Sequence, residues 1–383
     1  QRSLVGSEMC IRDRLYIVPL LGLMATACTD IESIEIDHIG GNNTKDDVES
    51  EAYYADLRAY KETAKNYGRP VAFGWFSNWA PTGAMRRGYL TSVPDSMDII
   101  SMWSGAPGRY EITEAQKKDK EFVQKVKGIR LLEVCLLSHL GKGRTPTSVY
   151  DEVEKKAIEE GWSEAKLTEE RKFARWDFWG FTSHDLNNKE ELERALSKFA
   201  KAICDSLVTG EWDGYDIDWE PGNGFNDSDG TIGSHNIGFV VKELGKYIGP
   251  KSDPENKGHK LLCIDGHIND FLPEIEDYVD YWIAQAYGQA SPYLHSPANI
   301  NEKLIVTENF ESFASNGGQL LKQAAWMPEE GYKGGVGAYR FDNDYDNAPD
   351  YKWMRQAIQI NQRVFNEWKA VSYTHLRAHE TTL

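Results

Sequence analysis

The stretch WDGYDIDWEP, Trp212 to Pro221, carries four acids in an apolar run: Asp213, Asp216, Asp218 and Glu220. In a β-strand successive side chains point to opposite faces. Asp216, Asp218 and Glu220 therefore share one face, and Tyr215, Ile217 and Trp219 share the other. Three carboxylates on one face repel one another when all are ionised, so at least one keeps or shares a proton and its pKa rises. A strand gains no stability from that arrangement, but an acid catalyst needs a carboxyl still protonated near neutral pH. The structural alternatives are a calcium loop and a solvated acidic edge. A calcium loop needs acids at positions one, three and five, a central Gly and a Glu at position twelve. Here Pro221 follows the run and the twelfth position from Asp216 is Asp227. A solvated edge would not normally carry Trp212, Tyr215, Ile217 and Trp219. Asp213 falls on the opposite phase from the other acids and is expected to fix the strand end through hydrogen bonds.

Such a strand needs a frame, and from residue 54 onward strand-like and helix-like stretches alternate. Strands are expected at Arg69–Trp79, Met97–Ser104, Ile129–His139, the acidic run, Lys260–His267, Tyr281–Gln289, Lys303–Phe310 and Gly334–Asp344. They are near-continuous apolar runs, as parallel strands covered by helices are. Helices are expected at Tyr53–Asn66, Thr113–Lys127, Lys189–Val208, His235–Ile248, Gly318–Trp326 and Tyr351–Lys369, with Glu114 and Lys118 as an i,i+4 pair. Eight strands, each followed by a helix, over about 320 residues give an α/β chain folded as a single (β/α)8 TIM barrel. A doubly wound sheet would need fewer strands and a Gly-rich phosphate loop after the first, which the sequence lacks. A long insertion, Leu140 to Asn187, follows the third strand. It holds a charged helical stretch, Val149–Lys172, and an aromatic patch, ARWDFWGF, with Trp176 and Trp179. A connection of that length either serves the catalytic end of the barrel or packs as an excursion on its outside.

DGYDIDWE resembles the DxxDxDxE signature of glycoside hydrolase family 18, which contains chitinases and endo-β-N-acetylglucosaminidases. All four acids stand at the family's spacing. The resemblance implies that the signature ends the fourth strand of the barrel. It also implies retaining hydrolysis in which the substrate's own N-acetyl oxygen attacks the anomeric carbon, giving an oxazolinium ion. Glu220 is then the general acid and later the base. Asp218 holds the acetamido N–H and stabilises the developing positive charge, and Asp216 shares a proton with Asp218. Chitinases of the family usually carry Met-x-Tyr-Asp on the sixth strand, where this chain has Gln285-Ala286-Tyr287-Gly288. The Gln-x-Tyr pair resembles the endo-β-N-acetylglucosaminidase branch, which cleaves the chitobiose core of N-glycans. In that branch the Tyr287 hydroxyl would support the acetamido carbonyl and Gln285 would bond the same sugar; the alternative for Tyr287 is a core aromatic. Trp75, Trp79, Trp103 and Tyr339 sit near strand ends, where they either line subsites or pack. His139, Asp265 and His267 are weaker candidates at strand ends. No cofactor or metal is implied. A chitinase and a non-catalytic glycan-binding lipoprotein are the competing readings; the retained acid at Glu220 argues for an enzyme and Gln285 against a chitinase.

A net charge of −17 argues against nucleic acid or an anionic membrane surface as partner. The expected partners are N-acetylglucosamine-containing glycans of glycoproteins, met by a monomer. Residues 1–14 and 371–383 resemble translated sequencing-adapter read-through, without periodicity that joins their neighbours, and are set aside from the fold. The apolar run from Leu15 is too short to span a bilayer. It ends in ATAC, which resembles a bacterial lipobox with Cys28 as the lipidated residue and Ala25 where Leu is usual. A signal peptide over 15–28, an acidic tether over 29–52 and a catalytic domain over 53–370 follow from this. Acids directly after Cys28 resemble the surface-export signal of Bacteroidota lipoproteins. The expected location is thus the outer-membrane surface, bound to the membrane only through the lipid, with secreted or periplasmic forms as alternatives. Cys135, Cys204 and Cys263 lie in apolar segments and are expected as buried thiols without a disulfide framework.

Overall fold

The computed structural model describes residues 49–103, 111–222, 228–255, 258–271, 273–294 and 300–380, without the side chains of 373–380. The adapter-like segment 1–14, the signal stretch with Cys28 and the tether as far as residue 48 lie outside the described residues. Eight parallel strands close into a barrel: β1 (Val71–Phe76), β2 (Ile99–Met102), β3 (Arg130–Leu136), β4 (Gly214–Trp219), β5 (Leu261–Gly266), β6 (Tyr281–Gln285), β7 (Leu304–Asn309) and β8 (Gly335–Tyr339). Closure is made where Val71 and Phe73 of β1 pair with Gly335 and Gly337 of β8. The architecture is a (β/α)8 TIM barrel.

The alternation of side chains sorts the strands into two cores. Val71, Phe73, Ile99, Leu132, Val134, Cys263, Ile283 and Ile305 point inward and fill the barrel. Tyr215, Ile217, Trp219, Leu262, Ile264 and Trp282 point outward into the layer between sheet and helices. Both faces are therefore apolar, which is why the strands read as continuous hydrophobic runs. Burying one such side chain contributes roughly 1.5–3 kcal/mol.

The helices are α1 (Glu51–Glu62), α2 (Glu114–Glu121), α3 (Asp151–Glu160), α4 (Glu164–Trp179), α5 (Lys189–Thr209), α6 (Ile237–Leu244), α7 (Phe310–Phe313), α8 (Leu320–Ala325) and α9 (Lys352–Glu380). Helix α1 begins two residues earlier than expected, because the Ser50 side chain accepts the Tyr53 N–H as an N-cap. Helix α2 opens on a capping box of Thr113 and Gln116 and runs on into a π-helical turn, Phe122–Val126. Glu114 pairs with Lys117 at 2.8 Å and not with Lys118. In α5, Leu192, Leu196, Phe199, Ile203 and Leu207 are buried at helical spacing and seat the helix beside the strand it leads into.

Four expectations change. The expectation of a helix after every strand does not hold among the described residues. β1, β5 and β6 are followed by short 3₁₀ turns at Arg86–Gly88, Ile268–Asp270 and Asn301–Lys303. Pro81 and Pro94 interrupt the first connection and Pro273 the second. The charged stretch 149–172 is not one helix, because Gly161 adopts φ 65° and ends α3, a backbone state that glycine takes without steric cost. Helix α9 continues through residues 371–380, so the backbone there joins its neighbour as helix. Cys135, Cys204 and Cys263 are thiols outside any disulfide, and Cys135 is half-buried where full burial was expected.

Candidate active site

Strand β4 carries its acids to the C-terminal mouth of the barrel. Asp216 and Asp218 are 0% and 1% exposed and point inward, while Tyr215, Ile217 and Trp219 pack outward. Glu220 follows the last strand residue and is half-buried. Beside it, Gly266 ends β5 at φ 87°, where an added Cβ would stand 2.4 Å from the Trp219 carbonyl oxygen and 3.1 Å from Glu220 Cγ. Only glycine lets the two strand ends lie this close.

Asp216 Oδ2 accepts hydrogen bonds from Trp75 Nε1 (3.0 Å) and Ser101 Oγ (2.7 Å). Burial pushes its pKa up to about 6, against the lowering effect of Ser101, Asp265 and Trp75. Asp218 pairs in register with Asp265 of β5, itself 1% exposed. Burial and the neighbouring charges of Glu220 and Asp216 push the Asp218 carboxyl well above the usual range. Burial and the charges of Asp216 and Asp218 do the same to Asp265. Gln285 Nε2 donates to Asp265 Oδ1 at 2.8 Å. The three carboxyls crowd one buried spot, and each is pushed toward its protonated form.

Tyr287 is not within β6, which ends at Gln285; Ala286–Gln289 is a turn closed by the Gln289 N–H to the Ala286 carbonyl at 2.9 Å. The turn still brings Tyr287 to the acids. Burial and the charges of Asp265, Asp218 and Glu220 push its hydroxyl well above the ordinary tyrosine value, so it remains a neutral donor. Tyr339, on β8, is the hub of the aromatic rim: Trp103 meets it edge-on at 5.3 Å, and Trp75 and Tyr287 at 6.2 Å each.

Trp103 is 37% exposed, and Tyr339 is half-buried at the same mouth. Trp75 is 1% exposed and forms the floor under Asp216, so its role passes from sugar platform to hydrogen-bond donor. Trp79 faces the outer layer, donating Nε1 to Asp119 and meeting Trp212 edge-on, because its place beyond the end of β1 turns it away from the mouth. Asp213 stands at the opposite end of β4, where Oδ2 accepts the Leu131 N–H (2.9 Å) and Gln124 Nε2 (2.6 Å). His139 is buried beside Ser138, and His267 meets the end of β4 through its backbone N–H to the Trp219 carbonyl. Ser101 was missed in the sequence; its signal is a hydroxyl set among apolar neighbours in IISMW. Among the described residues no three His, Cys, Asp or Glu side chains converge as a metal site.

A closed parallel barrel with paired carboxyls at its C-terminal mouth defines a barrel glycosidase. The family model "Glycoside hydrolase family 18, BT1044-like" matches residues 29–166 and 162–360, and the chain belongs to that family. The chain is similar to a selenomethionine form of BT1044 with a Glu-to-Gln substitution, at 26% identity over 85% of this chain and 97% of that one, with a TM-score of 0.63. It shares its fold with a mutant endo-β-N-acetylglucosaminidase from Cordyceps militaris in complex with fucosyl-N-acetylglucosamine-Asn, at 15% identity, 86% and 99% coverage and a TM-score of 0.54. A chitinase from Pseudoalteromonas aurantia follows at 13% identity, 76% and 99% coverage and a TM-score of 0.40. A search among curated proteins gave no match.

Proposed function

We propose that the chain is an endo-β-N-acetylglucosaminidase that cleaves the β-1,4 linkage within the chitobiose core of N-glycans by substrate-assisted, retaining catalysis. The observation that carries this reading is Glu220 just past the end of β4, two residues beyond buried Asp218, with Tyr287 near enough for the charges of both to act on its hydroxyl. Glu220 protonates the glycosidic oxygen and then takes a proton from water. Asp218 holds the acetamido N–H, so that the carbonyl oxygen closes on the anomeric carbon. Its negative charge stabilises the oxazolinium ion in a site with little water to compete. Tyr287, held neutral, donates to the acetamido oxygen. Asp216 tunes the charge of Asp218 from the floor, while Trp103 and Tyr339 offer ring faces to the sugar.

Gln285, in place of the chitinase Met, supports the N-glycan reading over chitin. The test is a mass spectrum of products from a high-mannose glycoprotein and, separately, from chitin oligomers. Intact glycans ending in one N-acetylglucosamine, with the chitin oligomers untouched, are expected. Cleavage of the oligomers alone would assign a chitinase. Lipid anchoring at Cys28 is proposed from the sequence alone; labelled fatty acid should enter the wild type and not Cys28→Ala.

A further inference from the structure

Asp216, Asp218 and Asp265 each keep one buried carboxylate oxygen that receives no hydrogen bond among the described residues: Asp216 Oδ1, Asp218 Oδ1 and Asp265 Oδ2. Buried polar atoms are nearly always satisfied. An ionised carboxylate can only accept, whereas a protonated one can donate. A proton carried on one of these carboxyls can be donated to another, which satisfies both oxygens of that contact.

We infer that Asp265 carries that proton and donates it to the β4 acids, so that Asp218 stays anionic beneath the sugar. The inference rests on the reading of Asp218 as the acetamido partner. Asp216 is the wrong carrier, because two donors, Trp75 Nε1 and Ser101 Oγ, already converge on its Oδ2 and favour its ionised form. Asp265 receives one donor, Gln285, on Oδ1, which fixes the carboxyl and leaves Oδ2 as the donating oxygen. It lies across the β4–β5 ladder from Asp218 and within hydrogen-bonding reach of both β4 acids. The groups facing Asp265 are Asp216, Asp218 and Glu220 from the β4 side, Gln285 and Tyr287 from the β6 side, and Cys263 two residues back on β5. None of these is a cation that could stabilise a third negative charge. Asp265 is thus a positioning residue that acts through Asp218, and Gln285 acts through Asp265.

Two substitutions separate this from a packing role. Asp265→Asn supplies a neutral group that still accepts from Gln285 and still donates an N–H to the β4 acids. Asp265→Leu removes the donor. In the resting protein at neutral pH, the infrared difference between wild type and Asp265→Asn should show the loss of one protonated-carboxyl C=O band. In the pH profile of kcat, the acid limb marks protonation of Asp218. Without its donor, the Asp218 pKa rises, so in Asp265→Leu that limb should move up by about one pH unit. In Asp265→Asn it should stay near the wild-type position. Absence of the infrared band change, or an acid limb that moves equally in both variants or in neither, overturns the proposal. If no N-acetylglucosaminide is hydrolysed by the wild type, the functional reading fails, and the infrared result still decides whether the group holds a proton at neutral pH.

Discussion

Buried aspartates stand at both ends of this barrel, in opposite company. At the N-terminal end Asp98 takes Arg69 on both oxygens, at 2.7 and 2.9 Å, and the Ala72 N–H at 2.8 Å. Asp95 pairs with Lys127 at 2.6 Å, and Asp280 with His259 Nε2 at 2.7 Å. Burial alone would raise Asp98 and Asp95, but their cations more than offset it and both are held below the ordinary carboxylate value. At the C-terminal mouth, Asp216, Asp218 and Asp265 meet neutral donors and one another, and burial wins. The same residue type is a locked anion at one end and a proton store at the other. A cavity of ≈ 190 Å³, lined by Tyr67, Arg130, His259 and Tyr281 among others, also lies at the ion-paired end, away from the chemistry. The raised carboxyls at the mouth, set against the depressed ones here, mark the opposite end as the candidate site.

The contrast can be broken at either end. Glu220→Gln should lower kcat by about 10²- to 10⁴-fold, the range of a lost general acid, while calorimetry shows glycan binding retained. Arg69→Ala should leave Asp98 buried without its main partner and cost about 3–5 kcal/mol in chemical denaturation, with the kcat of the folded fraction unchanged.

Asp216→Asn sharpens the comparison through pH. The raised Asp216 pKa means the folded state binds its proton more tightly than the unfolded state. Its stabilisation is full below the unfolded value and is lost as pH rises to about 6. Removing this group should therefore flatten the fall in stability across that window and raise stability above it, by at most roughly 3 kcal/mol. The depressed Asp98 has the opposite sign: its contribution is present above the unfolded value and is lost as pH falls through its lower folded value. Melting curves across pH would resolve the two slopes. Trp103→Ala should have the smallest effect, a several-fold rise in KM worth about 0.5–1.5 kcal/mol, with kcat held.

The β4 acids were legible because the period of two in YDIDWE assigns each residue to a face without knowledge of any neighbour. The eight strands were legible for a related reason, since burial on both faces leaves continuous apolar runs. Asp265 was harder to read. In KLLCIDGH it is a single acid at a strand end, and only the pairing of β5 with β4 shows that it enters the same proton-sharing group. Trp75 and Trp79 are both aromatics near the end of β1, and sequence could not tell the floor of the mouth from the outer layer. Tyr287 was assigned to the right place for a partly wrong reason, because a turn and not a strand delivers it. Position across the barrel depends on contacts between distant segments, which local periodicity does not encode.

Two ion pairs help rivet the insertion after β3 to the barrel. Arg144, from its first loop, pairs with buried Glu133 on β3. From α4, Arg175 and Trp176 both donate to Asp229, in the connection that follows β4, at 2.6 and 2.7 Å. The excursion and the loop leaving the acidic strand are therefore one mechanical part. Anyone recombining loops among such barrels to alter glycan preference would have to transplant both as a cassette, since either alone would strand a charge at the seam.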